Sequence, residues 1–401
     1  MKIAIIRGPY LNKFEMQNFE PMLDSCDLTA YYCEEMWRTS ESVKDIKIPK
    51  KKLKSLEGVM GLQVSKVLRY PFGLVGYRHH MIGLENELKS YDIAHPAETY
   101  HAFSYQCIKA KRKYGTKVVV TCWENIPFFN ETPNLRGYVK ANYIKKAVRE
   151  EADLFIAVTQ RAKEALIYEG VSEEKITLIP VGVDLERFKP RPKDEEILED
   201  FGLDKDDFII LFVGVINVYK GIYELIYAAK RLYLDKDLDF IKEHLKFVIV
   251  GSGEEERGIK KLVKKFGISE HFVFAGHQPY MQIHRFYSIA DVFTLPSKPI
   301  ETWQEQFGMV FAEAMASGLP IVSTLCGSIP EVLGDAAVLV QPADAYSLYH
   351  GLKEVIIDDE LRGRLRLRAR KRAEENFNPE KIAMRIKKEY EKIMSGRGDR
   401  L

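Results

Sequence analysis

The sequence predicts an α/β protein built as two doubly wound domains, and three observations carry that prediction. The chain has 401 residues, which at roughly 150 per domain is too long for one core and suits two or three. Short apolar runs alternate with amphipathic stretches in two separate series, the pattern of parallel strands whose crossover helices cover both faces of a sheet. A charged segment carrying two prolines separates the two series.

The first series opens with a strand at 3–6, which ends at Arg7-Gly8-Pro9. A less regular stretch follows, holding a lysine cluster at Lys50, Lys51, Lys52 and Lys54. Strands are then expected at 92–95, 117–121, 154–158 and 176–179, with helices at 105–113, 143–151 and 160–169 between them. The segment 184–207 contains Pro190, Pro192 and the charged run Lys193-Asp-Glu-Glu196, and suits an interdomain connection.

The second series begins with the strand Phe208–Val213, a loop over 214–221 and a helix over 222–234. A strand at 246–250 turns at Gly251-Ser252-Gly253 into a helix at 254–266. Strands at 272–275 and Val292–Leu295 flank a helix at 279–290, and a helix at 307–317 precedes strands at 319–323 and 336–340. Helices follow from Tyr346. The last one has Asn378 as N-cap and Pro379 at its first position, with Ile382, Ile386, Tyr390 and Ile393 at helical spacing. The expected division is 1–186, 187–376 and a final helix over 377–401.

Composition narrows the function classes. Hydrophobic residues at 46% supply packed cores and argue against disorder, and a formal net charge of +2 argues against a dedicated nucleic-acid binder. The five cysteines are odd in number and none form a C-x-x-C, so neither a disulfide framework nor a zinc site is expected. The apolar run at the N-terminus is interrupted by Arg7, short of a signal peptide, and no stretch reaches membrane-spanning length. The expectation is a soluble cytoplasmic protein.

The most informative stretch is E-T-W-Q-E-Q-F-G-M-V-F-A-E-A-M-A-S-G-L-P, from Glu301 to Pro320. Its helix is apolar all round and therefore buried, yet Glu313 lies in the middle of it. A buried carboxylate needs a strong partner, and ribose hydroxyls or a neighbouring Lys or Arg would serve equally. Glu305 precedes the helix and Gly308 falls in its first turn, where free N–H groups attract anions. Glu305 could orient sugar hydroxyls there, or simply cap the helix. Lys220, at the end of the loop after Phe208–Val213, is placed to neutralise a diphosphate, with a solvated surface lysine as the alternative. The pair Gly251 and Gly253 is no dinucleotide fingerprint. Its third position is Glu256, and Glu254-Glu255-Glu256 would repel a pyrophosphate. No P-loop or H-E-x-x-H motif is visible.

These residues carry a resemblance. Glu305 and Glu313, separated by seven residues, lie within E-Q-F-G-M-V-F-A-E-A-M-A-S-G-L-P-I-V, followed by Gly327-Ser-Ile-Pro-Glu331 and Pro342-Ala-Asp344. The stretch resembles the E-x7-E signature of retaining glycosyltransferases of the GT-B fold, family GT4. Gly214 with Lys220-Gly221, Val250-Gly-Ser-Gly253, Ala290-Asp-Val-Phe293 and Pro180-Val-Gly-Val-Asp184 extend the resemblance over most of the chain.

The resemblance implies two Rossmann-like domains facing a cleft, the N-terminal one on the acceptor side and the C-terminal one binding a nucleotide-sugar donor, with the final helix returning to the N-terminal domain. Glu305 and Lys220 would be catalytic, with Lys220 on the diphosphate. Glu313 would bind the ribose. Glu305 and the backbone at Phe307, Gly308 and Met309 would hold the transferred sugar, and Gly214, Gly251 and Gly253 would border the donor. No metal and no cofactor beyond the donor is implied, and the acceptor is left open. Three positions depart from the family: Val215 stands where Arg is common, Trp123 or Glu124 where a His is common, and Gly8-Pro9 replaces a glycine pair. A non-catalytic nucleotide-sugar-binding protein, or a disaccharide synthase or phosphorylase, are the alternatives. Thr99, Tyr100, His101 and His95 could face the acceptor or be structural. Lys50, Lys51, Lys52 and Lys54 could touch anionic lipid, though a solvated face is favoured.

Overall fold

A computed structural model describes residues 1–34, 40–60, 79–129 and 138–396. Most of the apolar stretch at 56–84 lies outside them. The chain divides into two compact units, Met1–Gly182 with Pro379–Leu401, and Val183–Asn378.

The first unit is built on a seven-stranded sheet. Its strands are β1 (Lys2–Gly8), β2 (Asp27–Tyr32), β3 (Lys50–Lys52), β4 (Ile93–Pro96), β5 (Lys117–Cys122), β6 (Leu154–Ala157) and β7 (Ile176–Leu178), all paired in parallel in the order β3-β2-β1-β4-β5-β6-β7. Alternate residues serve opposite faces, as the pleat requires. Ala4, Ile6, Val118 and Val120 join a core with Phe103 and Cys107 of α1 (Ala102–Tyr114), Val148 of α2 (Tyr138–Glu151) and Leu166 of α3 (Gln160–Tyr168), while Ile3, Ile5 and Val119 face the other side.

Two of these strands fall in the segment where the sequence shows no rhythm. In β2 the alternation is weak. In β3 the residues are three exposed lysines, which carry no apolar signal at all. Lysine on an edge strand keeps the open edge from pairing with another chain, so β3 is an edge whose composition hides it. The lysine cluster is therefore part of a sheet, with Lys51 on Glu87 at 2.6 Å and Lys52 on Glu34.

The second unit repeats the plan with six strands: β8 (Phe208–Val213), β9 (Leu245–Val250), β10 (Phe272–Gly276), β11 (Val292–Leu295), β12 (Ile321–Thr324) and β13 (Ala337–Val340), parallel in the order β10-β9-β8-β11-β12-β13. Its longer helices are α4 (Ile222–Tyr233), α5 (Glu256–Lys265), α6 (Ile283–Ile289), α7 (Met309–Ala316), α8 (Ala345–Ile357) and α9 (Asp359–Asn376), with short ones at Glu195–Asp200 and Ile329–Leu333. The central strand β8 is buried along its whole length, as a parallel strand covered on both faces must be. The helix expected at 307–317 is shorter, because Gly308 takes φ 75° and ends the preceding loop rather than entering the first turn.

The final helix, α10 (Pro379–Met394), buries Ile382, Ala383, Ile386 and Tyr390 against Ile3, Ile5, Leu28 and Ile93 of the first sheet. Arg385 also donates to the Leu178 carbonyl at 2.6 Å. Among the described residues no helix is long and apolar enough to cross a membrane.

Candidate functional site

In an open parallel sheet, ligands bind beyond the carboxyl ends of the strands where the strand order reverses. In the second unit that point lies between β8 and β11, which are neighbours in the sheet. The loop after β8 is shaped by Asn217, whose side chain accepts the Lys220 N–H at 3.0 Å and closes a short turn. The Lys298 N–H donates to the Tyr219 carbonyl at 2.9 Å, tying that loop to the one after β11. Lys220 thus emerges at a defined position.

There it meets Glu305. Lys220 Nζ lies 2.7 Å from Glu305 Oε2, and Ser297 Oγ donates to the same oxygen at 2.9 Å. Trp303 flanks the cation, with Nζ 4.6 Å from its ring centre, and stacks obliquely on Tyr219 at 4.3 Å. The two charged side chains are 16% and 7% exposed, enough to admit a ligand while weakening solvent screening. The Glu305 carbonyl accepts Ser328 N–H at 2.9 Å, so the backbone of Glu305 is anchored to the loop after β12.

Gly308 follows, and a side chain there would not fit. A β-carbon would lie 2.4 Å from the Phe311 ring and demand a left-handed backbone. The close turn starts α7 at Met309, four residues after Glu305. Phe307 does not contribute its side chain: it is 1% exposed, with its ring 5.6 Å from that of Phe377. What Phe307, Gly308 and Met309 can offer a ligand is backbone.

Glu313 sits within α7 and is 2% exposed. The sequence left ribose hydroxyls or a Lys or Arg ion pair open as partners; within the chain the carboxylate is met by tyrosine hydroxyls and by the charge of Arg187. Tyr287 donates to Glu313 Oε2 at 2.9 Å, and Tyr280 and the charge of Arg187 also stabilise the carboxylate. Burial outweighs them and pushes the carboxyl up to about 7. Arg187 is held by Asp184 at 3.1 Å and lies over the Tyr280 ring, and its buried Nη1 has no hydrogen-bond partner. Ser297, Trp303, Tyr287, Tyr280 and Arg187 were not singled out from sequence. The one usable signal was that a buried Glu313 needs partners, and nothing local says which.

The remaining three glycines serve the packing of two loops. A β-carbon at Gly251 would meet the Gly214 carbonyl at 1.9 Å, and one at Gly253 the Ile216 carbonyl at 2.1 Å. Their bareness lets the loops after β8 and β9 lie against each other, with Ile216 N–H donating to the Ser252 carbonyl at 3.0 Å.

The corresponding point in the first unit lies between β1 and β4. His95 ends up inside: it is fully buried, bonded to Thr121 Oγ1 at 2.6 Å and to the Tyr390 hydroxyl, and burial with the nearby Arg7 charge holds it well below the usual histidine range. It is a neutral packing residue rather than one facing an acceptor. Glu98 is unusual. Its backbone has φ 61°, its carboxylate accepts N–H bonds from Trp123 (2.8 Å) and Glu124 (3.1 Å), and burial pushes it up to about 8. With Glu124 and the buried ion pair Lys145–Glu169 (2.6 Å) it lines a small cavity. His101 stacks on Tyr10 at 5.2 Å and meets Tyr100 edge-on at 4.7 Å. Among the described residues no three His, Cys, Asp or Glu side chains gather as a metal site would require.

Residues 193–372 match the family described as Glycosyl transferases group 1, and residues 56–187 match Glycosyltransferase Family 4. Curated relatives include D-inositol 3-phosphate glycosyltransferase 1 of Catenulispora acidiphila, 32% identical over 54% of this chain and 52% of that protein. Another is the MMP alpha-(1->4)-mannosyltransferase of Mycolicibacterium hassiacum, 28% identical over 65% and 58%. The chain spans about half the length of these relatives. Among solved structures, HepE of Anabaena in complex with UDP superposes with a TM-score of 0.76 at 17% identity, covering 98% of this chain and 100% of that one. A sucrose-phosphate synthase from Thermosynechococcus elongatus gives 0.71 at 19%, covering 99% and 100%. At these identities the likeness establishes the GT-B fold.

Proposed function

Since the chain belongs to the group 1, family 4 glycosyltransferases, we propose that it transfers a sugar from a nucleoside-diphosphate-sugar donor to an acceptor, with retention at the anomeric carbon. The observation that carries this reading is the Lys220–Glu305 pair at the switch point of the second sheet. A cation and a carboxylate side by side, next to a helix start, match a donor that has an anionic diphosphate adjoining a hydroxyl-rich sugar. The complexes of Anabaena HepE with UDP and with UDP-glucose support the same donor class.

In this reading Lys220 exchanges its carboxylate partner for the diphosphate, and Glu305, freed of that pairing, accepts hydroxyl hydrogens of the transferred sugar. The backbone at Phe307, Gly308 and Met309 lines the approach of the sugar. Glu313 accepts ribose hydroxyls, a role that requires its ionised form. The bond between the anomeric carbon and the diphosphate oxygen breaks as the acceptor oxygen attacks on the same face. The departing oxygen takes the acceptor's proton. The chain contributes charge stabilisation and orientation, and we assign it no metal and no cofactor other than the donor. The second unit holds the donor and the first takes the acceptor, which we leave undefined. The five buried cysteines, none of them in a disulfide, suit a reducing cytoplasm.

A thermal-shift panel of nucleotides and nucleotide-sugars, followed by a donor hydrolysis assay, tests the reading. Stabilisation by one nucleoside diphosphate and slow release of sugar from its conjugate are expected. Nucleotide binding without release would leave a binding protein, and no binding at all would defeat the proposal.

A further inference from the structure

Among the described residues, α9, β3 and α5 each carry a run of cations, and the three differ in how far the charge is engaged. On α9 the cations are engaged: Arg366 faces Asp291, Arg368 faces Asp335, and Arg370 and Arg372 donate to the carbonyls of Ala316 and Val332. On the edge strand β3, Lys51 and Lys52 are paired with Glu87 and Glu34. Helix α5 differs. It buries Ile259 and Val263 and turns Arg257, Lys261, Lys264 and Lys265 outward, all exposed and, among the described residues, with no carboxylate partner. Their spacing of four, three and one places them in a single stripe along the helix. Lys260 borders the stripe, paired with Glu256 at 2.7 Å. Of the carboxylates at the head of the helix, Glu255 accepts a bond from the Tyr223 hydroxyl and Glu256 is taken by Lys260, which leaves the exposed Glu254 as one negative charge beside four cations.

We propose that the outward stripe of α5 docks the protein on an anionic lipid surface. The complement to four exposed cations without carboxylate partners on an open helix face is a surface of negative charge. A lysine-dominated stripe fits a lipid surface better than a nucleic acid. Flexible point charges follow a fluid layer of headgroups, whereas phosphodiester recognition favours arginine forks and aromatic stacking platforms. No large apolar residue is exposed on α5, so the contact is electrostatic, reversible and salt-sensitive. It is independent of the proposed transfer reaction, because none of these residues belongs to the Lys220–Glu305 site.

The test is co-sedimentation of the full chain with vesicles of phosphatidylcholine alone and with vesicles also containing phosphatidylglycerol. Binding is expected only to the mixed vesicles, at low salt, and lost at high salt. The triple variant K261E/K264E/K265E should bind roughly a hundredfold more weakly, at about a fivefold loss per charge removed from the surface. Its melting temperature and nucleotide-induced shift should match the parent's, which separates loss of docking from loss of fold. K261Q/K264Q/K265Q should fall between, and K51E/K52E should bind like the parent. No binding to mixed vesicles, equal binding to both vesicle types, an unaffected triple variant, or tighter binding of an RNA or DNA oligomer than of the mixed vesicles at the same salt would each overturn the proposal.

Discussion

The two sheets reach their switch points in the same way, each between its first strand and the neighbour across the reversal, yet what gathers there is opposite in character. At the end of β8 and β11 the charges are matched and reachable: Lys220 against Glu305, with Ser297 on the same oxygen. At the end of β1 and β4 the ionisable groups have gone inward. His95 is neutral beneath Tyr390, and Glu98 is buried on a left-handed backbone with two amide donors. A matched pair can trade one partner for a ligand at little cost. A buried carboxyl on strained backbone instead holds loops in place, which is how positioning residues are usually built. The same topology thus gives one unit a site made of charge and the other a site made of shape.

The comparison breaks most visibly at Glu305. Glu305→Ala should lower donor turnover by about a thousandfold, with nucleoside diphosphate affinity kept within a few fold, measured by hydrolysis assay and calorimetry. Affinity lost in step with turnover would mean that the carboxylate serves Lys220 alone. Next comes Lys220→Met. It removes the cation and leaves Glu305 buried without its partner, so diphosphate affinity should fall by about a hundredfold. An unchanged dissociation constant would remove Lys220 from the site.

The first unit is probed by pH. The Glu98 carboxyl is raised to about 8 from an ordinary value of 4.5, so the folded state favours its protonated form. The stability this gives is complete below the ordinary value and is lost as pH rises through about 8. Between pH 6 and 9 the protein should lose on the order of 2 kcal/mol from this group, and Glu98→Gln, which keeps the shape and both amide bonds, should flatten that loss. A pH–stability curve identical in the two proteins would show that Glu98 is ionised throughout.

The smallest effect belongs to Glu313. Its carboxyl lies at about 7, and ribose hydroxyls need the ionised form. Nucleotide affinity should therefore hold above that value and weaken by about tenfold per unit below it. Glu313→Gln should bind weakly at every pH. Flat affinity of the parent from pH 5 to 8 would place the ribose elsewhere.

The strands of the second unit were legible because parallel strands covered on both faces are continuous apolar runs, as in Phe208–Val213. The resemblance to family 4 was carried by Glu305 and Glu313 in their motif together with Gly214, Lys220-Gly221, Gly251-Ser-Gly253 and Pro180–Asp184 in order along the chain. The partners of Lys220, Glu305 and Glu313 were not legible. Ser297 reaches Glu305 from the loop after β11, Trp303 packs on Lys220, and Tyr287 reaches Glu313 from α6, and local spacing carries no trace of contacts made through the fold. The edge strand β3 escaped for a different reason, since a strand of three lysines is selected for what it prevents rather than what it buries.

The closing helix has a consequence for how the molecule is made. In order of synthesis, the first unit is interrupted after Gly182 and resumes only at Pro379, so the second unit is an insertion into the first. Until α10 emerges, Ile3, Ile5 and Ile93 lack the cover of Ile382, Ile386 and Tyr390, and His95 lacks its lid. At about 5–20 residues per second, the ribosome needs roughly ten to forty seconds to supply it. For that interval the second unit can fold complete, while the first waits with one face of its sheet open to whatever chaperone or neighbour meets it.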